Sequence, residues 1–420
     1  MANSRQYLSL SIFLTLLAVA FVYADVASFG HLYGDDERHI RENPHVQALT
    51  ADNLLWMFSS AEIDYWRPLS FLTHAIDYTL WGEYIGGHHI TNVVIHGISA
   101  LLVMGIAWTV WPMVVRRPAV DTAQWRVAAA LMAGLLFAVH PQHVETTAWL
   151  AERKGVLSSC FYIAAIWTYL NGRGVARSWR LATMLLVVLA MLSKPLAVSL
   201  PLALLMLDVY PLRRLTIHTP FRDWLRIGID KLPYALLALA VSLYTYLAVE
   251  TGGYLTTTDV FGLSERLVNA SRSVWLYLGR FLLPLALVPI YPMAMLDNSL
   301  TLVNLIAPTA LLVVAVGSLW LFARGKPALI AIAGVHMAML GPVLGLIHVG
   351  LQSSADRYAY LPGAWMAVVA AILSTLTLMA CRGKPAMRWT MTLALGLVLA
   401  AFMMSARQQV YVWSSGVAMA

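Results

Sequence analysis

YLSLSIFLTLLAVAFVYADVASFGHLYGDDE, residues 7–37, joins a long apolar run to a short acidic loop. A nearly uncharged apolar run of about 20 residues is long enough to cross a bilayer as a helix. Ten more apolar segments follow it, at 90–111, 127–139, 155–170, 180–193, 196–209, 232–249, 301–323, 327–347, 361–381 and 388–405. The sequence therefore predicts an all-α integral membrane protein with about 11 transmembrane helices.

The composition supports a membrane protein and excludes several other classes. Hydrophobic residues make up 60% of the 420 residues and charged residues only 12%, too few to give a soluble protein of this size its charged surface. The two cysteines, Cys160 and Cys381, lie in apolar runs, which excludes a disulfide framework and a cysteine-based metal site. The charge of +7 comes without any basic run longer than two residues, so we expect the lipid bilayer as a partner and no nucleic acid.

The charged residues predict how the chain is oriented. With the amino terminus in the cytoplasm, most basic residues fall inside, including Arg116, Arg117, Arg213 and Arg214, as the positive-inside rule requires. Only four acidic residues fall inside, which are Asp121, Asp208, Asp223 and Asp230. This orientation requires the first helix, and we expect it to be uncleaved although residues 22–24 resemble a weak signal-peptidase site. The carboxylate-rich face then predicts that the chemistry faces outward.

Three segments outside the eleven helices have a predicted place. Residues 28–89 form the longest hydrophilic segment, which we predict to be the first external loop. A helix along the membrane surface is predicted within this loop, because apolar residues recur there at helical spacing, at Leu69, Leu72, Ile76 and Leu80. A second external loop is predicted at 250–271. Residues 273–292 are apolar but contain Arg280 and three prolines, so we predict a re-entrant or interfacial segment.

Two adjacent carboxylates, Asp35 and Asp36, follow the first helix after a few residues. When two carboxylates are held close together, the pKa of one is raised, and such a group can remove a proton from a hydroxyl. A solvated acidic loop explains the same two residues about equally well. We treat Asp35 and Asp36 as candidate catalytic bases.

The densest polar cluster on the outer face is predicted between the third and fourth segments, where His140, His143 and Glu145 precede Arg153 and Lys154. The two histidines and the glutamate could bind a divalent cation, and the alternative is interfacial histidines that form hydrogen bonds. The two adjacent cations suit a phosphate group at the height of the lipid headgroups, although ordinary interfacial basic residues give the same pattern. No cofactor is assigned, and the identity of any metal stays open.

A third polar group, Asp356-Arg357-Tyr358, opens the tenth apolar segment from outside. Asp356 can orient Arg357, which provides another cation at phosphate height, and a structural ion pair is the alternative. Carboxylates and cations thus converge on one membrane face, which favours chemistry on a lipid-linked phosphate. A transporter would place paired ionisable groups near the bilayer midplane. Three residues are candidates for that depth, namely Lys194, Arg280 and His336.

Taken in order, these motifs resemble those of the transmembrane and tetratricopeptide-repeat O-mannosyltransferase family and its bacterial relatives. The resemblance rests on Gly34-Asp35-Asp36, Tyr65-Trp66-Arg67-Pro68-Leu69, His140-Pro141, His143-Val144-Glu145, Glu152-Arg153-Lys154, Ser193-Lys194-Pro195 and Ala355-Asp356-Arg357-Tyr358. It covers most of the chain and implies a single GT-C transmembrane domain over residues 1–420, with residues 28–89 as the catalytic loop. It also implies a bacterial inner membrane and an active site that faces the periplasm.

The resemblance implies a membrane glycosyltransferase that moves a sugar from a polyprenyl-phosphate donor to an acceptor hydroxyl on a protein Ser or Thr or on a glycan. The reaction would be a single inverting displacement with Asp35 or Asp36 as the base. Six residues would be candidates to hold the donor phosphate, namely Arg357, Arg153, Lys154, Arg67, His140 and His143. Four more would bind the sugar or the acceptor, namely Glu145, Asp356, Tyr358 and His89.

Two features depart from the family pattern. The sequence ends at Ala420, where relatives continue into tetratricopeptide repeats, so we expect no C-terminal repeat domain. Gly155 stands where the family pattern has an acidic residue after Glu-Arg-Lys. Two alternatives therefore remain beside protein mannosylation: a lipid- or lipopolysaccharide-modifying transferase of the same fold, and a polytopic transporter or scaffold.

Overall fold

The computed structural model describes residues 2–32, 34–60, 63, 65–115, 119–251, 262–292, 302–346 and 352–414. Most of this part of the chain is α-helical, in α1 (Ala2–Val22), α2 (Ala51–Ser59), α3 (Pro68–Trp81), α4 (Ile85–Val114), α5 (Ala119–Ala138), α6 (Val144–Ala148), α7 (Arg153–Asn171), α8 (Arg177–Ser193), α9 (Leu200–Val209), α10 (Phe221–Thr251), α11 (Leu263–Leu282), α12 (Leu302–Ala323), α13 (Ala328–Leu340), α14 (Tyr360–Ala380) and α15 (Pro385–Val410). Two short antiparallel strands, β1 (Tyr291–Pro292) and β2 (Gln352–Ser354), pair with each other. The all-α prediction is confirmed.

Each of the eleven apolar segments predicted from the sequence falls on a helix. Six described helices are long and apolar enough to cross a membrane, at Gln6–Ser28, Ile85–Val114, Phe221–Thr251, Leu302–Ala323, Tyr360–Gly383 and Pro385–Trp413. Ala123–Ala138 and Pro141–Ala148 add a seventh if the pair, which is bent by 55°, forms one span. Pro195–Val209 and Ala328–Val343 are apolar but shorter. The integral membrane class follows from these helices, whereas eleven is the number of helical segments and not of full-length crossings.

Small side chains let the central helices approach one another closely. Ala100 of α4 and Ala129 and Ala133 of α5 are completely buried. Transmembrane helices commonly associate through such residues, because lipid gives little hydrophobic driving force and dispersion contacts must replace it. At Gly105 of α4, an added Cβ would lie only 2.9 Å from the indole nitrogen of Trp167 in α7. The packing of α4 against α5 and α7 therefore depends on residues that lack large side chains.

Helix α3, in the predicted first external loop, exposes its apolar face and buries its polar face. Ile76 and Leu80 are exposed, whereas His74 and Asp77 are buried. This is the reverse of a surface helix in a soluble protein and is expected where the apolar face contacts lipid. The helix ends at Gly82, whose φ of 58° suits glycine and lets the chain turn back into α4. The polar face of α3 is thereby turned toward the helix bundle.

The region after α10 differs in detail from the sequence-based expectation. Residues 252–261 of the predicted loop 250–271 lie outside the described residues, and α11 already begins at Leu263. This helix is amphipathic and carries Arg280 near its end. The predicted re-entrant or interfacial segment, 273–292, thus corresponds to the second half of α11, an irregular stretch and strand β1. Its relation to the membrane stays a prediction.

Candidate active site

Four connections between helices bring charged side chains together. They are the loop after α1, the turn Leu150–Glu152 before α7, the bend at residue 194 between α8 and α9, and the turn Asp356–Tyr358 before α14. Ionisable groups can gather at such connections because the helices themselves are filled with apolar side chains. We call Glu152, Lys154, Lys194 and Arg357 the Glu152 cluster.

Three cations surround the buried carboxylate of Glu152. The Nζ of Lys194 lies 2.9 Å from Oε2, the Nζ of Lys154 lies 3.5 Å from Oε1, and the Nε of Arg357 lies 3.8 Å from Oε1. Burial alone would raise the pKa of Glu152, but the three cations lower it to about 2. The carboxylate is therefore ionised, and it holds three positive groups within reach of one another.

Arg357 is held in one orientation by neighbouring groups. Glu145 accepts hydrogen bonds from the backbone N–H of Arg357 at 2.8 Å and from its Nη1 at 2.5 Å. Gln352 accepts a hydrogen bond from Nη2 at 2.9 Å, and the guanidinium lies 5.5 Å from the ring centroid of Trp149 and 5.0 Å from that of Tyr358. Such fixing matters because a planar guanidinium binds a phosphate well only in the correct orientation. Glu145 and Tyr358, predicted as sugar or acceptor ligands, thus contact Arg357 itself.

Asp36 is buried and joins the acidic loop to the Glu152 cluster. Its two carboxylate oxygens accept hydrogen bonds from the backbone N–H groups of Leu32, at 2.9 Å, and Ala151, at 2.8 Å. Burial raises the pKa of Asp36 to about 6, although these two donors and the charge of Lys154 act in the opposite direction. Both oxygens are thus engaged with the main chain, and Asp36 fixes the position of the loop.

Asp35 differs from its neighbour in exposure and contacts. Its side chain is only partly buried, and the described residues provide no hydrogen-bond donor to its carboxylate. Lys154 is close enough to interact with it electrostatically. Of the two predicted bases, Asp35 is therefore the more accessible to a bound molecule, whereas Asp36 is completely buried.

Gly155, where the family pattern has an acidic residue, makes room for Glu152. A Cβ at this position would collide with Oε2 of Glu152 and would lie 3.3 Å from a methyl group of Thr146. It would also lie 3.5 Å from the Nζ of Lys194. An acidic side chain there would compete with Glu152 for the same cations, so the glycine is consistent with the contacts of this cluster.

Arg153 and Lys154, predicted together as phosphate ligands, point to different places. Arg153 is completely buried and donates from Nη2 to Asp77 at 2.6 Å and to the carbonyl of His88 at 2.7 Å. Its Nε donates to the side-chain oxygen of Asn92. Arg153 therefore ties α7 to α3 and α4, and only Lys154 joins the Glu152 cluster.

The remaining predicted basic and histidine ligands are buried in packing contacts. Arg67 lies over the rings of Tyr65, at 5.1 Å, and Phe71, at 4.8 Å. Three histidines lie within hydrogen-bond distance of backbone carbonyl oxygens. His140 is 2.9 Å from the carbonyl oxygen of Phe281, and His143 is 2.9 Å from that of Phe137. His89 is 2.9 Å from the carbonyl oxygen of Ala148 and 3.2 Å from that of Gly30. These contacts agree with the alternative interpretation of His140 and His143, as hydrogen-bonded histidines.

Asp356 supports the turn that carries Arg357. It accepts a hydrogen bond from the hydroxyl of Tyr291 at 2.7 Å and lies 3.5 Å from the Nη1 of Arg280. Burial raises the pKa of Asp356, while these partners lower it in part. Because Tyr291 belongs to β1, this carboxylate connects the turn to the segment that follows α11. The geometry gives Asp356 a positioning role.

Two contributors to the cluster were not among the predicted site residues. Lys194 was noted as a candidate for the membrane midplane and as part of the motif Ser193-Lys194-Pro195, without a site role, yet it makes the shortest contact to Glu152. Trp149 has Lys154 at 5.8 Å and Arg357 at 5.5 Å from its ring centroid. The signal for Lys194 was its place before a proline within an apolar run, but its partner lies 42 residues away in sequence.

The histidines and glutamate considered for a divalent cation do not form a ligand set. Glu145 is bound to Arg357, and His140 and His143 contact carbonyl oxygens. Within the described part of the chain, the group of side chains with suitable spacing for a metal is instead His74, Asp77 and His88.

The fold matches that of a membrane glycosyltransferase. The oligosaccharyltransferase of Archaeoglobus fulgidus, in its apo form, aligns with a TM-score of 0.54 at 13% sequence identity, over 96% of this chain and 56% of the other. A structure of the same archaeal enzyme, AglB, with an inhibitory peptide and a dolichol-phosphate aligns with a TM-score of 0.53 at 12% identity, over 96% and 56%. The predicted GT-C fold is confirmed.

Sequence comparison points to a particular group of proteins. The chain is 32% identical over 193 residues to the protein O-mannosyl-transferase Tmtc1 of Drosophila melanogaster, and 28% identical over 200 residues to TMTC4 of Mus musculus. Each match covers 43% of this chain, but only 21% of Tmtc1 and 26% of TMTC4, so the chain matches about a quarter or less of these relatives. No family model matches the sequence. The predicted resemblance to the O-mannosyltransferases is confirmed.

Proposed function

We propose that this chain is a membrane glycosyltransferase whose donor is a sugar linked to polyprenyl phosphate. The observation that carries the proposal is the Glu152 cluster, in which three cations lie around one carboxylate and one of them, Lys154, interacts electrostatically with the partly exposed Asp35. Cations held in a site of low dielectric stabilise the charge that develops on a departing phosphate. The matched archaeal enzyme was solved with a dolichol-phosphate, and the matched relatives are named O-mannosyl-transferases.

The proposed reaction is a single displacement at the anomeric carbon of the sugar. Asp35 accepts the proton of the acceptor's hydroxyl group, and the oxygen of that hydroxyl forms the new bond to the anomeric carbon. The bond between the carbon and the phosphate oxygen breaks, and its electron pair leaves with polyprenyl phosphate. Lys154, Lys194 and Arg357 bind the phosphate oxygens. The configuration at the carbon is inverted because attack and departure occur on opposite faces.

Supporting roles follow from the contacts around these residues. Asp36 positions the loop, Glu145 orients Arg357, and Glu152 keeps three like charges together that would otherwise repel one another. Mannose is the proposed sugar, and a protein Ser or Thr or a glycan hydroxyl is the proposed acceptor. The proposed location is the periplasmic face of a bacterial inner membrane.

An assay with purified protein in detergent and synthetic polyprenyl-phosphate sugars tests this function. A panel of donors with different sugars, followed by release of prenyl phosphate, identifies the sugar, and transfer to peptide or glycan acceptors identifies the acceptor. Asp35→Asn should reduce turnover by about 10²- to 10⁴-fold, the usual contribution of a general base. Asp52→Asn, on an exposed residue of the same loop, is the matched control and should retain full activity.

Asp36→Asn separates positioning from proton transfer. Asparagine keeps one oxygen acceptor, so we expect a partial loss of activity together with a lower melting temperature. If Asp35→Asn is fully active while Asp36→Asn is inactive at unchanged stability, the assignment of the base to Asp35 is wrong. If no prenyl-phosphate sugar is consumed by a folded wild-type protein, the transferase proposal itself fails.

A further inference from the structure

His74, Asp77 and His88 form a compact group of potential metal ligands between α3 and α4. One ligand atom from each of the three side chains lies within 4.8 Å of the other two, and all three residues are buried. His74 and Asp77 are three residues apart on α3 and therefore share one face of that helix. His88 comes from the first turn of α4, after the turn at Gly82. None of the three belongs to the Glu152 cluster.

Two ring nitrogens in this group lack partners although they are buried. The Nδ1 atoms of His74 and His88 have no hydrogen-bond partner among the described residues. The other nitrogen of His88, Nε2, lies 3.1 Å from the carbonyl oxygen of Gly82 and can donate to it, which leaves Nδ1 as an acceptor. This Nδ1 lies 3.9 Å from Oδ2 of Asp77, which is also an acceptor. Two buried acceptors that face each other require a proton or a cation between them.

The donor set indicates which cation would bind. Two imidazoles and one carboxylate form a typical ligand set for Zn²⁺, at about 2.0 to 2.2 Å from each ligand atom. In a tetrahedral site, such bonds place the ligand atoms about 3.3 Å apart. The Nδ1 of His88 and the Oδ2 of Asp77 are 3.9 Å apart, and all three ligand atoms lie within 4.8 Å of one another, so the side chains must move closer together to bind the ion.

The outer contacts of Asp77 resemble those of a metal-binding carboxylate. Its Oδ1 accepts a hydrogen bond from Thr91 at 2.8 Å and its Oδ2 accepts one from Arg153 at 2.6 Å. Each carboxylate oxygen has a second lone pair, so these bonds leave room for a metal ligand bond. Hydrogen bonds of this kind orient metal ligands. The positive charge of Arg153, which already pairs with Asp77, repels a metal cation. We therefore expect the affinity for the metal to be lower than at a site whose carboxylate has no such partner.

We propose that His74, Asp77 and His88 bind a zinc ion that fastens α3 to the first turn of α4. Through Asp77 and Arg153, the ion would also be connected to the beginning of α7, one residue before Lys154. Its role in this position is structural, because the ligands connect α3, α4 and Arg153, which lies outside the Glu152 cluster. The proposal does not depend on the proposed transferase function.

Zinc content and stability of the purified full-length chain test the proposal. The protein is produced with zinc chloride in the medium, purified through a tag without histidine, and assayed for metal by mass spectrometry. We expect about one zinc per chain in the wild type and in His218→Ala, which removes an exposed histidine elsewhere. His74→Phe and His88→Tyr, which keep side-chain bulk, should reduce zinc to the background level.

Measurements on the wild type alone keep the test decisive if a variant does not fold. A chelator added during gradual warming should lower the melting temperature, and zinc chloride should restore it, whereas magnesium chloride should not. Absence of zinc from wild-type protein, with no shift on adding zinc chloride, overturns the proposal. Full zinc content in folded His74→Phe and His88→Tyr overturns it as well.

Discussion

Two buried carboxylates in this protein, Asp208 and Glu152, are each surrounded by positive groups. They differ in how short the contacts between the carboxylate and those groups are. Asp208 of α9 accepts a hydrogen bond from Arg214 at 2.7 Å and from Lys231 at 2.7 Å. The hydroxyl of Tyr169 lies 2.8 Å from both of its oxygens. All these contacts are short, and they join α7, α9 and α10.

The Glu152 cluster is more open than the group around Asp208. Only Lys194 makes a contact to Glu152 below 3 Å, while Lys154 and Arg357 remain at 3.5 and 3.8 Å. A cation that is not in short contact with its carboxylate keeps donors for another anion. We therefore expect the group around Asp208 to be structural, and we propose that the Glu152 cluster, whose contacts to its carboxylate are longer, binds a ligand.

The largest effect is expected from Asp208→Asn. This change breaks the short ion pairs of buried Asp208 with Arg214 and Lys231 and leaves Arg214 only its longer contact to Asp230, at 3.6 Å. Breaking a buried ion pair typically costs about 3 to 5 kcal/mol. We expect a large fall in melting temperature in detergent, or loss of folded protein on expression. Asp223→Asn, on an exposed acid in the first turn of α10, should leave the melting temperature nearly unchanged. Equal melting temperatures for the two variants would contradict the structural role of Asp208.

The titration of Asp36 should make the stability of the folded protein depend on pH. Its pKa in the folded protein is about 6, above the ordinary value of 3.8, so the folded state binds the proton more tightly than the unfolded state. Stability should therefore rise as pH falls through about 6 toward 4, by up to about 3 kcal/mol at 1.36 kcal/mol per pKa unit. The melting temperature, measured between pH 5 and 8, should show this dependence in the wild type more strongly than in Asp36→Asn. If the melting temperatures of the two proteins change with pH in the same way, Asp36 is not the source of the pH dependence.

Two buried lysines provide the sharpest test of the difference between the clusters. Lys194→Met removes the cation closest to Glu152, which is a proposed ligand of the donor phosphate. A charge-assisted hydrogen bond is worth about 1.5 to 3 kcal/mol, so the KM for the donor should rise about 10- to 100-fold. Lys231→Met should lower the melting temperature and leave that KM unchanged, because Arg214 still pairs with Asp208. A rise in KM of the same size in both variants would mean that the two clusters do not differ in function.

Arg357→Lys should have a smaller effect than Asp208→Asn or Lys194→Met. Lysine keeps the charge but loses the planar donor pair and the contacts with the rings of Trp149 and Tyr358. We expect about a 10-fold rise in the KM for the donor, and a larger rise for Arg357→Ala. If both variants use the donor as well as the wild type does, Arg357 does not bind its phosphate.

The helical architecture was predictable because it depends on local properties. The length of each apolar run places a helix, and all eleven predicted segments are helical. Whether a helix crosses the whole membrane depends on its neighbours and on bends such as the 55° break between Ala138 and Pro141, which a list of apolar runs does not reveal. The prediction of helices was therefore better founded than the prediction of crossings.

The site was predictable at the level of segments but not of single side chains. Adjacent residues on a helix point about 100° apart, so Arg153 and Lys154 enter different clusters although they are neighbours in sequence. Likewise, Glu145 suits a sugar ligand by residue type, but its partner Arg357 lies 212 residues away. Such pairings arise from tertiary packing, which periodicity and residue type do not encode.

The two main-chain hydrogen bonds of Asp36 have a mechanical consequence. They connect the loop that carries Asp35, the proposed base, to the turn before Lys154, a proposed phosphate ligand, so we expect these two residues to move together. The turn with Arg357 is attached separately, through Glu145 and through the hydroxyl of Tyr291 on Asp356. We therefore expect the site to accommodate sugars of different size by a movement of the turn that carries Arg357, which does not displace Asp35.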